Sequence, residues 1–127
     1  MTHLIGDIGN TESKLCILNN NYKIIRRLRI DSSKLQDHFY FKKKIFPFIH
    51  NKVENRIALF SSVMPSVFFN IKKKLKKYFK IQCYELKQTH YSRIIKIKVN
   101  KKQIGSDRIA NAIGAYYKYR CNCIVLD

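Results

Sequence analysis

Acidic residues are the first thing this chain lacks. Among its 127 residues, 8 Asp and Glu stand against 26 Lys and Arg, a formal charge of +18. A two-metal nuclease needs several convergent carboxylates, and most of these few acids lie outside any motif. Cysteine is also sparse: Cys16, Cys83, Cys121 and Cys123 make no C-x-x-C pair, and Cys121 with Cys123 is too tight for a zinc knuckle. Cys16, Cys83 and Cys123 sit in apolar runs and read as small core residues of a reduced, cytoplasmic protein. His3, His38, His50 and His90 show no metal-ligand spacing and read as structural or solvated. No apolar run approaches the roughly 20 residues that span a bilayer. The Met1 end lacks the basic and then apolar pattern of a signal peptide, so no membrane partner is expected. G-x-x-x-x-G-K-[ST] is missing, which excludes a Walker A loop. There is no internal repeat and no low-complexity linker.

What is present suits one compact domain with a real core, since 46% of the residues are hydrophobic and 27% charged. The basic excess points to a polyanion partner such as nucleic acid, a membrane surface or a phosphorylated ligand. It also matches the Lys, Ile and Asn abundance of an AT-rich genome, and the lysines scatter over several segments instead of forming one arm. KKKLKK at 72–77 is the best nucleic-acid patch, but it reads more simply as a solvated helix face.

Pattern and punctuation predict the elements. THLIGDIG, then KLCILN at 14–19, then YKIIRRLRI after an NNN turn read as an antiparallel three-strand start. Ser32 and Ser33 would cap one helix running through SKLQDHFYFKKKIFPFIHN, with Pro47 disturbing its end. RIALFSSV at 56–63 is a strand, and Pro65 opens a helix continued by VFFNIKKKLKKYF. KIQCYEL is a strand, and alternating RIIKIKV reads as another near an edge. IGSDRIANAIGAYYKYR is a helix, and NCIVLD is an apolar strand ending in an acid. Helices and strands alternate through the second half, so the class is α/β.

Three motifs carry chemistry. In GDIGNT, Gly6 and Gly9 allow close approach by a ligand, turn amides can point at a phosphate, and Asn10 and Thr11 add donors. Asp7 would repel a bare phosphate and makes sense beside Mg²⁺ with water between carboxylate and phosphate. The same residues also suit an ordinary β-turn. In GSDR at 105–108, Asp107 lies at a helix start, where the macrodipole favours a carboxylate that could serve as a base, and Arg108 offers a fork for a carboxylate or phosphate. A plain helix cap with a solvated arginine is the simpler reading. Asp127 follows an apolar strand, where α/β ligand sites gather, or is a frayed terminus.

In order and spacing, the set resembles the type III pantothenate kinases, within the superfamily of actin-like, hexokinase-like and heat-shock-chaperone-like ATPases. The family's D-x-G-N-T is Asp7, Ile8, Gly9, Asn10 and Thr11 here; S-S-V-x-P is Ser61 to Pro65; G-x-D-R with I-A-N-A is Gly105 to Ala112. Of the later D-F-G-T-A-T-T only Asp127 is present. The resemblance implies a ribonuclease-H-like (actin-like ATPase) N-terminal subdomain over residues 1–121, with 122–127 the first strand of a second lobe. It implies transfer of phosphate from ATP to pantothenate, giving 4'-phosphopantothenate, the first step towards coenzyme A. Asp7, Ile8, Gly9, Asn10, Thr11, Glu12, Ser13 and Lys14 would form the ATP phosphate turn, with Asp7 on the magnesium side. Asp107 would be the base; Gly105, Ser106, Asp107 and Arg108 would hold pantothenate. Asp127 would help bind a monovalent cation, K⁺ or NH₄⁺, and a homodimer would complete the pocket.

Two departures stand out. Where the family often has a tyrosine and an Asn-Pro, this chain has Lys98, then Asn100 followed by Lys101, which leaves another small alcohol open as substrate. The family's alanine before the aspartate is Ser106. The resemblance covers about half of a family member, so the chain alone is expected to show little or no kinase activity. The alternatives are a basic nucleic-acid-binding module, disfavoured by the scattered charge, or a regulatory homologue of the same ribonuclease-H-like fold, disfavoured by the retained Asp7 and Asp107.

Overall fold

The computed structural model describes residues 1–126. Its frame is one five-stranded sheet of order β3-β2-β1-β4-β5. The strands are β1 (His3–Ile8), β2 (Glu12–Leu18), β3 (Ile24–Asp31), β4 (Ile57–Ser62) and β5 (Gln82–Glu85). β1, β2 and β3 pair antiparallel, as their turn chemistry predicts, while β4 runs parallel to β1 and β5 parallel to β4. This is the α/β, ribonuclease-H-like arrangement expected from the sequence. At the second turn, Asn19 Oδ1 accepts from the N–H groups of Asn21 and Lys23, both at 3.0 Å, and Tyr22 takes a left-handed φ of 57°. A short polar side chain that bonds its own backbone is what fixes such a turn.

Side chains alternate along the strands, so the sheet has two unlike faces. One buries Leu4, Ile8, Leu15, Ile17, Ile30, Ala58, Phe60 and Cys83. Helix α3 (Pro65–Phe79) packs there through Val67, Ile71 and Leu75, spaced for one helical face. Pro65 occupies its first turn as expected, and Lys80 ends it in the left-handed region at φ 59°. The other face carries Ile5, Asp7, Lys14, Arg27, Arg29 and Leu59, and is covered only in part. Across it lies α4 (Ser106–Tyr119), anchored by a small cluster of Leu86, Tyr91 and Ile109.

Several expectations are corrected. The single helix expected after Asp31 is broken into a 3₁₀ turn Ser32–Leu35, α1 (His38–Tyr40), a π turn Phe41–Ile45 and α2 (Phe46–Ile49). Asp37 restarts the helix by accepting the Tyr40 N–H at 2.5 Å. Pro47 has no N–H and crowds the carbonyl four residues back, and the wider π turn, with Phe46 N–H bonded to Phe41 O, relieves this. RIIKIKV at 93–99 forms no strand. Its alternation is used instead to pack Ile95 and Ile97 on the cluster beneath α4. Cys16 and Cys83 are buried, but Cys123 is exposed with Cys121. The segment 122–126 pairs with no strand among the described residues, and Asp127 lies outside them.

Gly6 sits where β1 crosses the ring of fully buried Phe60, and a Cβ there would overlap that ring. Phe60 cannot swing away, since Phe68 packs against it at 5.7 Å. Gly6→Ala is therefore expected to destabilise the fold by about 1–3 kcal/mol, the usual cost of overpacking. Urea denaturation reads this as a lower midpoint; an unchanged midpoint would contradict the packing.

Candidate functional site

The half-covered sheet face and α4 enclose a cleft of about 670 Å³. Register builds its floor. Ser61 of β4, Asp7 of β1, Lys14 of β2 and Arg29 of β3 are successive cross-strand partners and form one row. The next row reads Leu59, Ile5, Cys16 and Arg27. Neighbouring strands lie about 4.8 Å apart, so each row is a ruler of side chains at that spacing.

Asp7 is half-buried and makes no ion pair among the described residues. Its neighbour Lys14 turns to Glu12 instead, at 3.8 Å and largely in solvent, where such a pair contributes little. On the other side, Ser61 Oγ is buried and has no hydrogen-bond partner. A free carboxylate beside an orphaned hydroxyl fits a hydrated Mg²⁺, which keeps most of its waters and takes few protein ligands. No cluster of three or more His, Cys, Asp or Glu side chains occurs among the described residues, so phosphate oxygens and water would complete such a shell.

The turn beyond Asp7 is stapled from outside. Ser32 Oγ donates to Gly9 O at 2.7 Å, Ser32 N–H donates to Thr11 O at 2.8 Å, and Ser32 and Ser13 share a hydroxyl bond of 2.7 Å. Ser13 is fully buried and points to the core side. Of the residues expected in the phosphate turn, Asp7, Ile8, Gly9, Asn10 and Lys14 line the cleft, while Thr11, Glu12 and Ser13 do not. Alternation sends Ser13 inward, whereas Lys14 faces the cleft.

Asp107 enters the same cleft from the start of α4, together with Ala110 and Asn111. Its position is set by neighbours. Ser106 Oγ donates to Glu85 Oε1, and Glu85 Oε2 accepts the Lys87 N–H at 2.9 Å. Ser106 and Glu85 are both buried, so the end of β5 is clamped to the first turn of α4. The Asp107 carboxylate then folds back over Gly105, where a Cβ would overlap its Oδ1. A carboxylate there is also favoured by the helix dipole. Arg108 does not share this cleft. It is exposed and lines a shallow recess with Asn111, Ala112, Val125 and Leu126. Successive helical residues point about 100° apart, which sets Arg108 on a different side of α4 from Asp107.

Sequence reasoning missed Glu85, Arg27 and Arg29, and it quoted Ser61 and Asn111 within motifs without giving them a role. The alternation of β3 carried the signal for the arginines, since Arg27 and Arg29 share a face; nothing local marks Glu85. Cys83 offers no nucleophile: burial pushes its thiol up to about 12, only partly opposed by Lys72. The lysines of 72–77 belong to α3, on the other side of the sheet, where Lys72, Lys73 and Lys77 lie over the rings of Phe68, Phe69 and Tyr78.

Comparison with known proteins gives a consistent result. A family model described as type III pantothenate kinase matches residues 3–127. A type III pantothenate kinase of Pelagibacter ubique is 44% identical over 124 residues, covering 98% of this chain and 49% of the relative. One from Ehrlichia ruminantium is 36% identical over 121 residues, covering 91% and 47%. One from Fervidobacterium nodosum is 28% identical over 127 residues, covering 98% and 49%. The chain spans about half the length of the curated relatives it matches.

Gly105 has φ −70° and ψ 149°, which alanine adopts freely. Gly105→Ala is expected to change folding stability by no more than about 1 kcal/mol while driving the Asp107 carboxylate from its place. Denaturation and the carboxyl ¹³C resonance of Asp107 check this together. A shifted resonance at held stability is expected; an unmoved resonance would show that the carboxylate does not rest over Gly105.

Proposed function

The chain belongs to the type III pantothenate kinase family, and from that premise we propose that the whole protein transfers the γ-phosphoryl group of ATP to the primary hydroxyl of pantothenate. The observation that carries this reading is the meeting of Asp7 and Asp107 in one cleft, with the glycine turn beside them. Phosphoryl transfer is mainly positioning and electrostatic stabilisation, and this cleft has the parts for both.

In this reading the exposed turn at Gly9 and Asn10 receives the phosphates, and Lys14 offers them a point charge. Asp7, with the Ser61 hydroxyl beside it, would hold a hydrated Mg²⁺. Bound there, the ion would neutralise charge on the β- and γ-phosphates. Asp107 orients the pantothenate hydroxyl and takes its proton as the bond to phosphorus forms. The Gly105 backbone lies beside it, and Ser106 serves by fixing the turn. Arg108, on the adjoining recess, suits the distant carboxylate of pantothenate and not the reacting end.

The remaining parts come from the family likeness. Asp127 would contribute to a site for K⁺ or NH₄⁺, and residues 122–127 would lead from the lobe formed by 1–121 into a second lobe. That second lobe would hold adenosine and close the cleft. A homodimer, acting in the cytoplasm, belongs to the same proposal. No helix among the described residues is long and apolar enough to cross a membrane.

Pantothenate-dependent ADP release by the whole protein tests the reading. Asp107→Asn should lower kcat by about 10²–10⁴-fold, the usual contribution of a positioned base, with the KM for ATP nearly unchanged. Asp7→Asn should instead raise the Mg²⁺ concentration needed for half-maximal rate. An Asp107→Asn enzyme with wild-type kcat would remove the base from this account.

A further inference from the structure

The cleft holds a group of cations that, among the described residues, is answered only at Lys14, by the exposed Glu12. Lys14 and Arg29 are direct cross-strand partners, and Arg27 lies two residues along the same face of β3. All three line the cleft. Like charges directly opposite each other on adjacent strands repel, so this pairing works against the hairpin that carries it. Arg27 and Arg29 make no ion pair among the described residues, and the partner of Lys14 is the exposed Glu12.

Several other cations of this chain are employed differently. Arg26, their neighbour on β3, lies over the Phe48 ring at 5.6 Å, and Lys42 lies over Tyr78 at 3.8 Å. Lys34 pairs with Asp31 at 3.1 Å. Among the described residues, Lys14, Arg27 and Arg29 have no ring beneath them. Lys44, Lys76 and Lys80 also lack a ring and an ion pair among those residues, so it is their place in the cleft that sets Lys14, Arg27 and Arg29 apart.

We propose that Lys14, Arg29 and Arg27 form a subsite for a chain of condensed phosphates. The row supplies the length. From Asp7 to Arg29 is two strand spacings, about 10 Å, a span that a single phosphate ion does not bridge and a chain of phosphates does. Two guanidinium forks suit successive phosphate groups, each with two oxygens to offer. The metal-binding end of such a chain lies at Asp7, and its far end lies on β3. The ligand is the polyphosphate tail of a nucleotide or inorganic polyphosphate; the choice of a nucleotide rests on the kinase reading above, the anion subsite does not.

Calorimetric titration of the chain with inorganic tripolyphosphate, free of magnesium, tests the subsite. The double variant Arg27→Gln/Arg29→Gln should bind roughly tenfold more weakly or worse, having lost charge-assisted contacts. The double variant Lys43→Gln/Lys76→Gln, equal in charge but on the helical layer, should stay within about threefold of wild type, as screening predicts for distant exposed charges. At low salt the arginine variant should melt no lower than wild type, because the repulsion at Lys14 is relieved. Equal weakening in both variants, or none in the arginine variant, would overturn the proposal. Titration with ATP separates the sources: arginine-dependent binding of both anions makes the nucleotide a ligand, and binding of tripolyphosphate alone leaves the subsite and removes the nucleotide. Arginine-dependent ATP binding without pantothenate-dependent turnover by the whole protein would sink the kinase reading and keep the subsite.

Discussion

β1 is gripped on both sides, antiparallel by β2 and parallel by β4, and the site depends on that double register. Side chains alternate along a strand, so a slip of one residue would turn Asp7 into the core and push Ile8 into the cleft. Ile8 is almost wholly buried, at 1% exposure, and Leu4 on the same side is fully buried. Burying an aliphatic side chain of that size contributes about 1.5–3 kcal/mol, which no slipped pairing recovers. The core thus fixes the direction of Asp7, and with it the row running from Ser61 to Arg29. Gly6 belongs to the same constraint, since only a residue without a side chain lets Phe60 close beneath β1.

The second half of the site hangs from the start of α4. α4 is held near its start, by Ser106 on Glu85 at the end of β5 and by Ile109 packed with Leu86 and Tyr91. A carboxylate taken out of water is costly unless its oxygens are bonded, and both Glu85 oxygens have partners, one in α4 and one in the turn after β5. Breaking either would leave a buried charge underserved. This gives the clamp its hold, and it places the Asp107 carboxylate at the cleft mouth. Ser106, a mild departure from the family's alanine when read as a letter, is in the fold the donor to that carboxylate. Beyond this turn much of α4 is exposed, including Tyr116, Tyr117 and Tyr119.

Elements with strong local signals were legible in the sequence. The meander follows from alternation and from turn residues such as Asn19; α3 follows from Pro65 and helical spacing; α4 follows from its periodicity after Gly105. The hairpin acid and the helix-start acid were legible as candidates through the ordered motifs that hold them, since each alone also suits a plain turn or helix cap. What failed to show was set by tertiary contacts. The run 93–99 alternates like a strand, yet its isoleucines are consumed by a cluster that exists only when α4 is in place. The break at Asp37 and the π turn before Pro47 reflect competition between a local cap and a missing N–H, which composition alone does not rank. Ser13, read as a phosphate contact, is held by Ser32 from across the turn. Arg108, read beside Asp107, is carried to a different side by the helical rotation.

In the proposed reaction Asp7 and Asp107 serve one metal-phosphate site. Paramagnetic broadening of backbone amides by Mn²⁺ with ATP tests this most directly, since the effect falls steeply with distance from the ion. The account predicts that the amides of Gly9, Asn10, Ser61 and Asp107 lose intensity first, and those of α3 last. Broadening that begins on the lysines of α3, or that spares Asp107 while removing Gly9, would contradict it.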